Sequence, residues 1–292
     1  FGSSRSRCGS GADLKAGMAS LTLPNRWLQR LQLHGLPGLC VFDFDMTCTQ
    51  NDSTLAIAPS GVNGEHIIEA SSHSADNLMG LTNDLAGLLK GETKSELQER
   101  ALCNIEFSLG LAEFVDLLRS NGSKILVISG GFDPAVSLAR TQLGIDVICN
   151  DLEYDMTGRA TGRLGHAPVV DAESKGKLVS TLQSLLNVSQ EDTMTVGDSA
   201  NDCSMFGCAA YRIGVQPKPV LQSLCDVKLP THDFRPLTAM LEPFSKTAKR
   251  ESAADKPWTL AGKMPFGLPG VGTWRTIPLQ IGWARVPVPV PR

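Results

Sequence analysis

The sequence predicts an α/β fold: a mainly parallel sheet covered by helices, with a small helical segment inserted after the first strand. Three observations predict it. Short apolar runs alternate with longer segments of helical period, several of those runs end abruptly in polar groups, and one long stretch after the first run carries helical patterns but no buried strand.

The strands come first. Apolar runs at 38–42, 124–128, 147–149, 193–196 and 211–213 have the length and β-branched content of buried strands. Helical periodicity covers 111–120, 134–143, 175–186 and 199–209, with Pro134 suited to a first turn and Asn121-Gly122 and Gly144 to helix stops. A parallel sheet of this kind binds its ligand at the carboxyl ends of its strands. Between the first strand and residue 111, helices are expected around 74–89 and 93–104, forming a cap over 53–108 that would control access to those strand ends. The catalytic core is then 36–52 joined to 109–245. Residues 1–35 read as a tail, either a targeting remnant or sequence upstream of a start at Met18, and 246–292 as a Pro/Gly-rich irregular tail.

Composition narrows the function. The 292 residues are 42% hydrophobic and 20% charged, enough for one core and an accessory lobe. Lys+Arg 27 against Asp+Glu 30 gives a net charge of −3, which argues against nucleic acid or anionic lipid as a partner and for a small molecule. No apolar run approaches the roughly 20 residues of a membrane span. The eight cysteines include no C-x-x-C pair and read as reduced, buried residues of an intracellular protein, cytoplasmic or organellar. Cys48 stands out only because it follows an acidic motif.

Four short segments carry chemistry. In Leu39-Cys40-Val41-Phe42-Asp43-Phe44-Asp45-Met46-Thr47 two carboxylates stand two positions apart where a strand ends, costly unless a cation or hydrogen bonds meet them; solvated loop acids are the plainer reading. Ile128-Ser129-Gly130-Gly131 follows a strand with a hydroxyl and two glycines, which suits either a phosphate cradle or a tight turn. Lys175, in Ser174-Lys175-Gly176, opposes the dipole at a helix start unless it faces an anion; a solvated surface lysine is the alternative. Gly197-Asp198-Ser199-Ala200-Asn201-Asp202 ends another strand in acids that suit a divalent cation or, separately, a helix cap.

Taken in order, DFDMT, ISGG, a Lys-Gly step and GDSAND resemble the motif set of the haloacid dehalogenase-like superfamily, most closely its phosphoserine phosphatase-like branch, over roughly 38–229. The resemblance implies a Rossmann-like core and a Mg²⁺-dependent phosphatase working through an aspartyl phosphate. It makes Asp43 the nucleophile and Asp45 the general acid/base. Thr47, Ser129, Gly130, Gly131, Lys175 and Asn201 become phosphate-holding or positioning groups. Mg²⁺ would be held by Asp43, Asp198 and the Asp45 main-chain carbonyl, with Asp202 supporting. Asp52 falls where the branch has an acid for the substrate amine, and Arg100 is the candidate for its carboxylate. The implied substrate is O-phosphoserine, with a place in serine biosynthesis. Another small phosphorylated metabolite, such as an amine-type or thiamin monophosphate, stands as the alternative, as do a phosphotransferase and a non-catalytic phosphate-binding protein on the same fold. A monomer or a homodimer is expected.

Overall fold

The apolar runs pair into a six-stranded sheet in which every neighbouring pair is parallel. The computed structural model describes residues 21–67, 69, 78–165, 169–245, 274–279 and 282–287. In chain order, helix α1 (Asn25–His34) leads to strand β1 (Leu39–Phe42), and an insertion with α2 (Ser53–Ile57), α3 (Leu78–Leu88) and α4 (Lys94–Asn104) follows. The core resumes with α5 (Leu111–Ser120), β2 (Lys124–Phe132), α6 (Asp133–Val136), α7 (Leu138–Leu143) and β3 (Asp146–Asn150). A hairpin of β4 (Leu152–Tyr154) and β5 (Ala160–Leu164) precedes α8 (Ala172–Leu186), β6 (Thr193–Gly197) and α9 (Cys203–Phe206). The core closes with β7 (Tyr211–Val215), α10 (Pro219–Gln222), β8 (Val227–Leu229) and α11 (Arg235–Leu241).

The sheet order β3-β2-β1-β6-β7-β8 runs outward in both directions from β1 and β6. Its direction of progression therefore reverses between those two strands, and such a reversal opens a crevice at their carboxyl ends. β1 is buried on both faces, because the sequence alternates within an all-apolar run. Cys40 and Phe42 join Trp27, Phe114 and Phe234 on one side, and Leu39 and Val41 join Ile128, Val179 and Phe206 on the other. Asp43 is the first residue past that buried run, and its N–H is still tied to Val196 O (2.9 Å), so its position is fixed by the sheet itself.

A third apolar cluster joins Ile57, Ala86, Leu89, Leu97 and Ala101 of the insertion to Phe132, Ala135, Leu152 and Ala160. Paired main-chain bonds between Ala160 and the 91–92 segment, each 2.8 Å, stitch the β4-β5 hairpin to the insertion.

Two departures from expectation concern the ends. Within the supposed tail 1–35, α1 packs Trp27 and Leu31 into the core. Its signal is faint because Pro24 offers no side-chain cap and only two positions per three turns are buried. Within the supposed irregular segment 246–292, β9 (Trp274–Leu279) pairs antiparallel with β10 (Gly282–Pro287). Trp, Thr, Ile and Val at 274–286 favour extended backbone, and the surrounding prolines masked that preference. The first part of the helix expected at 74–89 lies outside the described residues.

Candidate active site

The chain leaves β1 through a wide turn, Phe44–Cys48, closed by the Thr49 N–H donating to Phe44 O (3.1 Å). Met46 sits in left-handed backbone at φ 54°, a conformation that costs a non-glycine residue about 1 kcal/mol and is retained where the surroundings enforce it. The turn separates the two carboxylates. Asp43 stays against the sheet, while Asp45 Oδ1 accepts the Ser53 N–H (2.7 Å) at the start of α2 and its Oδ2 lies beside Gly131.

Lys175 reaches Asp43 from the first turn of α8. The helix is started by a capping box in which Asp171 and Ser174 satisfy each other's main-chain N–H groups (2.8 and 2.6 Å). The glycine after the lysine lets α8 come close to α9, since a Cβ on Gly176 would lie 2.9 Å from the Ser204 main-chain oxygen. In that position Lys175 is fully buried and donates to Asp43 Oδ1 (2.6 Å) and Asp202 Oδ1 (2.8 Å). Asp202 is held in turn, because its Oδ2 accepts the N–H groups of Asp198 (2.9 Å) and Ser199 (3.3 Å). Its carboxylate fills the space a side chain on Gly197 would need.

Carboxylate oxygens of Asp43, Asp198 and Asp202 lie within 4.8 Å of one another, all three residues buried. With Asp45 close by, four acids face one ammonium, an excess of negative charge that a hard divalent cation with oxygen ligands would offset. Asp202 already spends both oxygens on Lys175 and two N–H groups, so Asp43 and Asp198 are the groups available to a cation. The donor set fits Mg²⁺.

The electrostatics follow from burial. Burial and then Asp202 push Asp43 up to about 7 against the pull of Lys175, and burial and Asp52 push Asp45 to about 7. Burial, then Asp202 and Asp43, holds Asp198 well above the carboxylate range. Burial alone would lower Lys175, but Asp202 and Asp43 keep its ammonium above the ordinary lysine value. Two carboxylates that change protonation near neutrality beside a cation can divide into a nucleophile and a proton carrier.

These groups open onto a cavity of about 410 Å³, whose wall includes Asp43, Asp45, Lys175, Asp198 and Asn201. Gly130, Gly131 and Asp52 also lie on that wall. Thr47 and Ser129 do not. Both are buried behind it; Ser129 Oγ turns into its own loop to accept the Gly131 N–H (2.9 Å), and Thr47 Oγ1 has no hydrogen-bond partner among the described residues. Arg100 is likewise absent from the wall, since its guanidinium is spent on Glu92 and on Ile57 O (2.8 Å) as a strut within the insertion. Cys48 is fully buried, and burial with Asp43 and Asp45 nearby raises its thiol, which disfavours the reactive thiolate.

The site has contributors beyond the four motifs. Asn150, a polar residue ending the apolar run of β3, clamps the glycine loop by donating to Gly130 O (2.8 Å) and accepting the Val170 N–H (2.7 Å). Glu65 and Lys218 stand on the cavity wall. A polar residue closing a buried strand is a readable signal for Asn150, and Lys218 lies in the segment Pro217-Lys218-Pro219-Val220 that shares the family resemblance; Glu65 carries none.

Comparison with known proteins agrees with this geometry. Residues 40–207 match the model of the haloacid dehalogenase-like hydrolase family. A phosphoserine phosphatase of Wolinella succinogenes is 33% identical over 206 residues, 70% of this chain and 99% of that protein. One from Methanocaldococcus jannaschii is 30% identical over 200 residues, 68% of this chain and 94% of that protein. Among solved structures, a phospho-aspartyl intermediate analogue of phosphoserine phosphatase superposes with a TM-score of 0.63 at 28% identity, covering 70% of this chain and 99% of the other. By its motifs, its sheet order and these matches, the chain belongs to the haloacid dehalogenase-like hydrolases.

Proposed function

We propose that this protein is a Mg²⁺-dependent phosphoserine phosphatase that hydrolyses O-phosphoserine to serine and inorganic phosphate through a phosphorylated Asp43. The observation that carries the proposal is the buried Asp43–Lys175–Asp202 chain at the crevice, with Asp45 facing it across the same cavity. A purely phosphate-binding protein needs no second carboxylate poised near neutral pH.

In this reading Lys175 holds one oxygen of Asp43, and the other attacks phosphorus. Asp45, protonated in an appreciable fraction near its pKa of about 7, gives its proton to the departing serine oxygen. It then takes a proton from the water that attacks the aspartyl phosphate, which releases phosphate and restores Asp43. Gly130 and Gly131 present main-chain groups to the phosphoryl oxygens, and Asn201 borders the same space. Asp43 and Asp198, with the Asp45 main-chain carbonyl, would hold Mg²⁺, which would neutralise charge on the phosphoryl group. The insertion acts as a cap, covering the site with Leu55 and Glu65 and excluding water.

The reading is supported by relatives and solved neighbours named phosphoserine phosphatase that align along nearly their whole length. Phosphate release from a panel of phosphate monoesters with Mg²⁺ tests it. O-phosphoserine is expected to be turned over with the highest kcat/KM, Asp43→Asn to lose turnover by several orders of magnitude while staying folded, and chelation to abolish release. A folded, Mg²⁺-loaded protein that leaves O-phosphoserine intact would refute it.

A further inference from the structure

Asp43 and Asp202 hold the tip of Lys175, but a lysine stem is flexible, so its tip is placed only if its root is placed as well. The root lies in the first turn of α8, and that turn is fastened from outside by a side chain that lies off the cavity wall. Ser204 Oγ accepts the Gly176 N–H (3.0 Å) and donates to Ala172 O. Those two main-chain groups are the donor and the acceptor of one i, i+4 helical turn, and Lys175 sits inside it. A single hydroxyl therefore grips the main chain on both sides of the lysine.

One short segment supplies both ends of the hold. Asp202, which accepts from the ammonium, and Ser204, which fixes the root, stand two residues apart where the chain enters α9. Asp202 is itself fixed, since its other oxygen accepts the Asp198 and Ser199 N–H groups. There is no slack at the root, where a Cβ on Gly176 would lie 2.9 Å from both Ser204 Cβ and the Ser204 main-chain oxygen. Joining of the two helices does not depend on the hydroxyl alone, because Cys208 Sγ lies 3.5 Å from Gly176 O and 3.4 Å from Ser204 O.

We infer that Ser204 is a positioning residue of the active site: its hydroxyl sets the place from which Lys175 reaches Asp43, and with it the orientation of the oxygen that attacks phosphorus. The inference rests on the reading of Asp43 as the nucleophile. A misplacement of about 1 Å at a reacting group costs up to about 100-fold in rate, so a smaller shift passed through the lysine stem is expected to cost about tenfold.

The test is a double-mutant cycle on the full chain with Mg²⁺: parent, Ser204→Ala, Lys175→Met and the two together, with Ser204→Cys as a control that keeps the side-chain volume but bonds weakly. p-Nitrophenyl phosphate is the substrate, so the outcome is independent of which natural ester the protein prefers, and thermal melts run in parallel. Ser204→Ala and Ser204→Cys are each expected to lower kcat/KM about tenfold. In the Lys175→Met background the same Ser204→Ala change should alter kcat/KM by less than about twofold, because the group it positions is gone. Unchanged kcat/KM in folded Ser204→Ala, full kcat/KM in Ser204→Cys, or the same tenfold loss with and without Lys175 would overturn the inference and leave Ser204 as packing between two helices. Should Ser204→Ala melt below the assay temperature, Ser204→Cys takes its place in the cycle under the same criteria. A folded parent that releases no phosphate from this ester or any other would instead bring down the phosphatase reading, and the assignment of Ser204 with it.

Discussion

Replacing Lys175 with methionine removes the one ammonium that meets two buried carboxylates and leaves a side chain of similar length. At 2.6 and 2.8 Å, each Lys175–carboxylate attraction amounts to about 6 kcal/mol at an effective dielectric constant near 20, much of it offset by the cost of desolvating the charges. What the variant loses is the compensation, and breaking a buried pair in this way costs about 3–5 kcal/mol. The loss should depend on pH. Asp43 without its lysine binds a proton more tightly, so near pH 5 it can go neutral and the penalty shrinks; at pH 7.5 keeping that proton costs more, and the penalty is full. Urea denaturation of metal-free protein, followed by circular dichroism at both pH values, measures this. The expected loss is 3–5 kcal/mol at pH 7.5, or about 6–20 °C in Tm, and visibly less at pH 5. A loss under about 1 kcal/mol, or one equal at the two pH values, would refute the claim that Lys175 compensates buried carboxylate charge.

Other consequences follow from the same geometry. In metal-free parent protein Asp43 and Asp45 are raised from 3.8 to about 7 and Asp52 to about 6, so the folded state holds protons that the unfolded state has released. Stability should therefore fall as pH rises from about 4 to 7 and level off above, and Mg²⁺ should raise Tm more at pH 7.5 than at pH 5, read by differential scanning fluorimetry. Gly131→Ala would place a methyl 3.0 Å from Asp45 Oδ2 and 3.1 Å from Val136, displacing the proton carrier; kcat should fall about tenfold or more with the melting curve nearly unchanged. Trp27→Ala should cost about 3–5 kcal/mol by chemical denaturation, because the ring is fully buried, packs 5.0 Å from Tyr211 and donates to Ala210 O and Asp226 (both 3.2 Å). A cost near zero would return 25–34 to the status of a tail.

The parts of the fold that were legible are those whose physics is local. Five of the six sheet strands read as apolar runs because parallel strands buried on both faces leave no room for alternation. The acids at 43, 45, 198 and 202 were legible because charge at the end of such a run demands a reason. β8 has three residues and lies at the sheet edge, too short to leave a pattern. The β4-β5 hairpin escaped because its residues are half-covered by a partner, the insertion, that is distant in sequence. Arg100 shows the same limit from the other side. Its chemistry suited a carboxylate, but whether it faces the cavity depends on how α4 is rotated, and Glu92 in the preceding turn captured it.

Acid quenching during turnover, with O-phosphoserine labelled on phosphorus, followed by peptide mapping, examines the nucleophile directly. Label should appear on the peptide containing Asp43, be released by hydroxylamine as an acyl phosphate is, and vanish in Asp43→Asn. Turnover with no protein-bound label in any of these forms, or label residing on Asp45 or Asp198, would contradict the assignment of Asp43 as the attacking group.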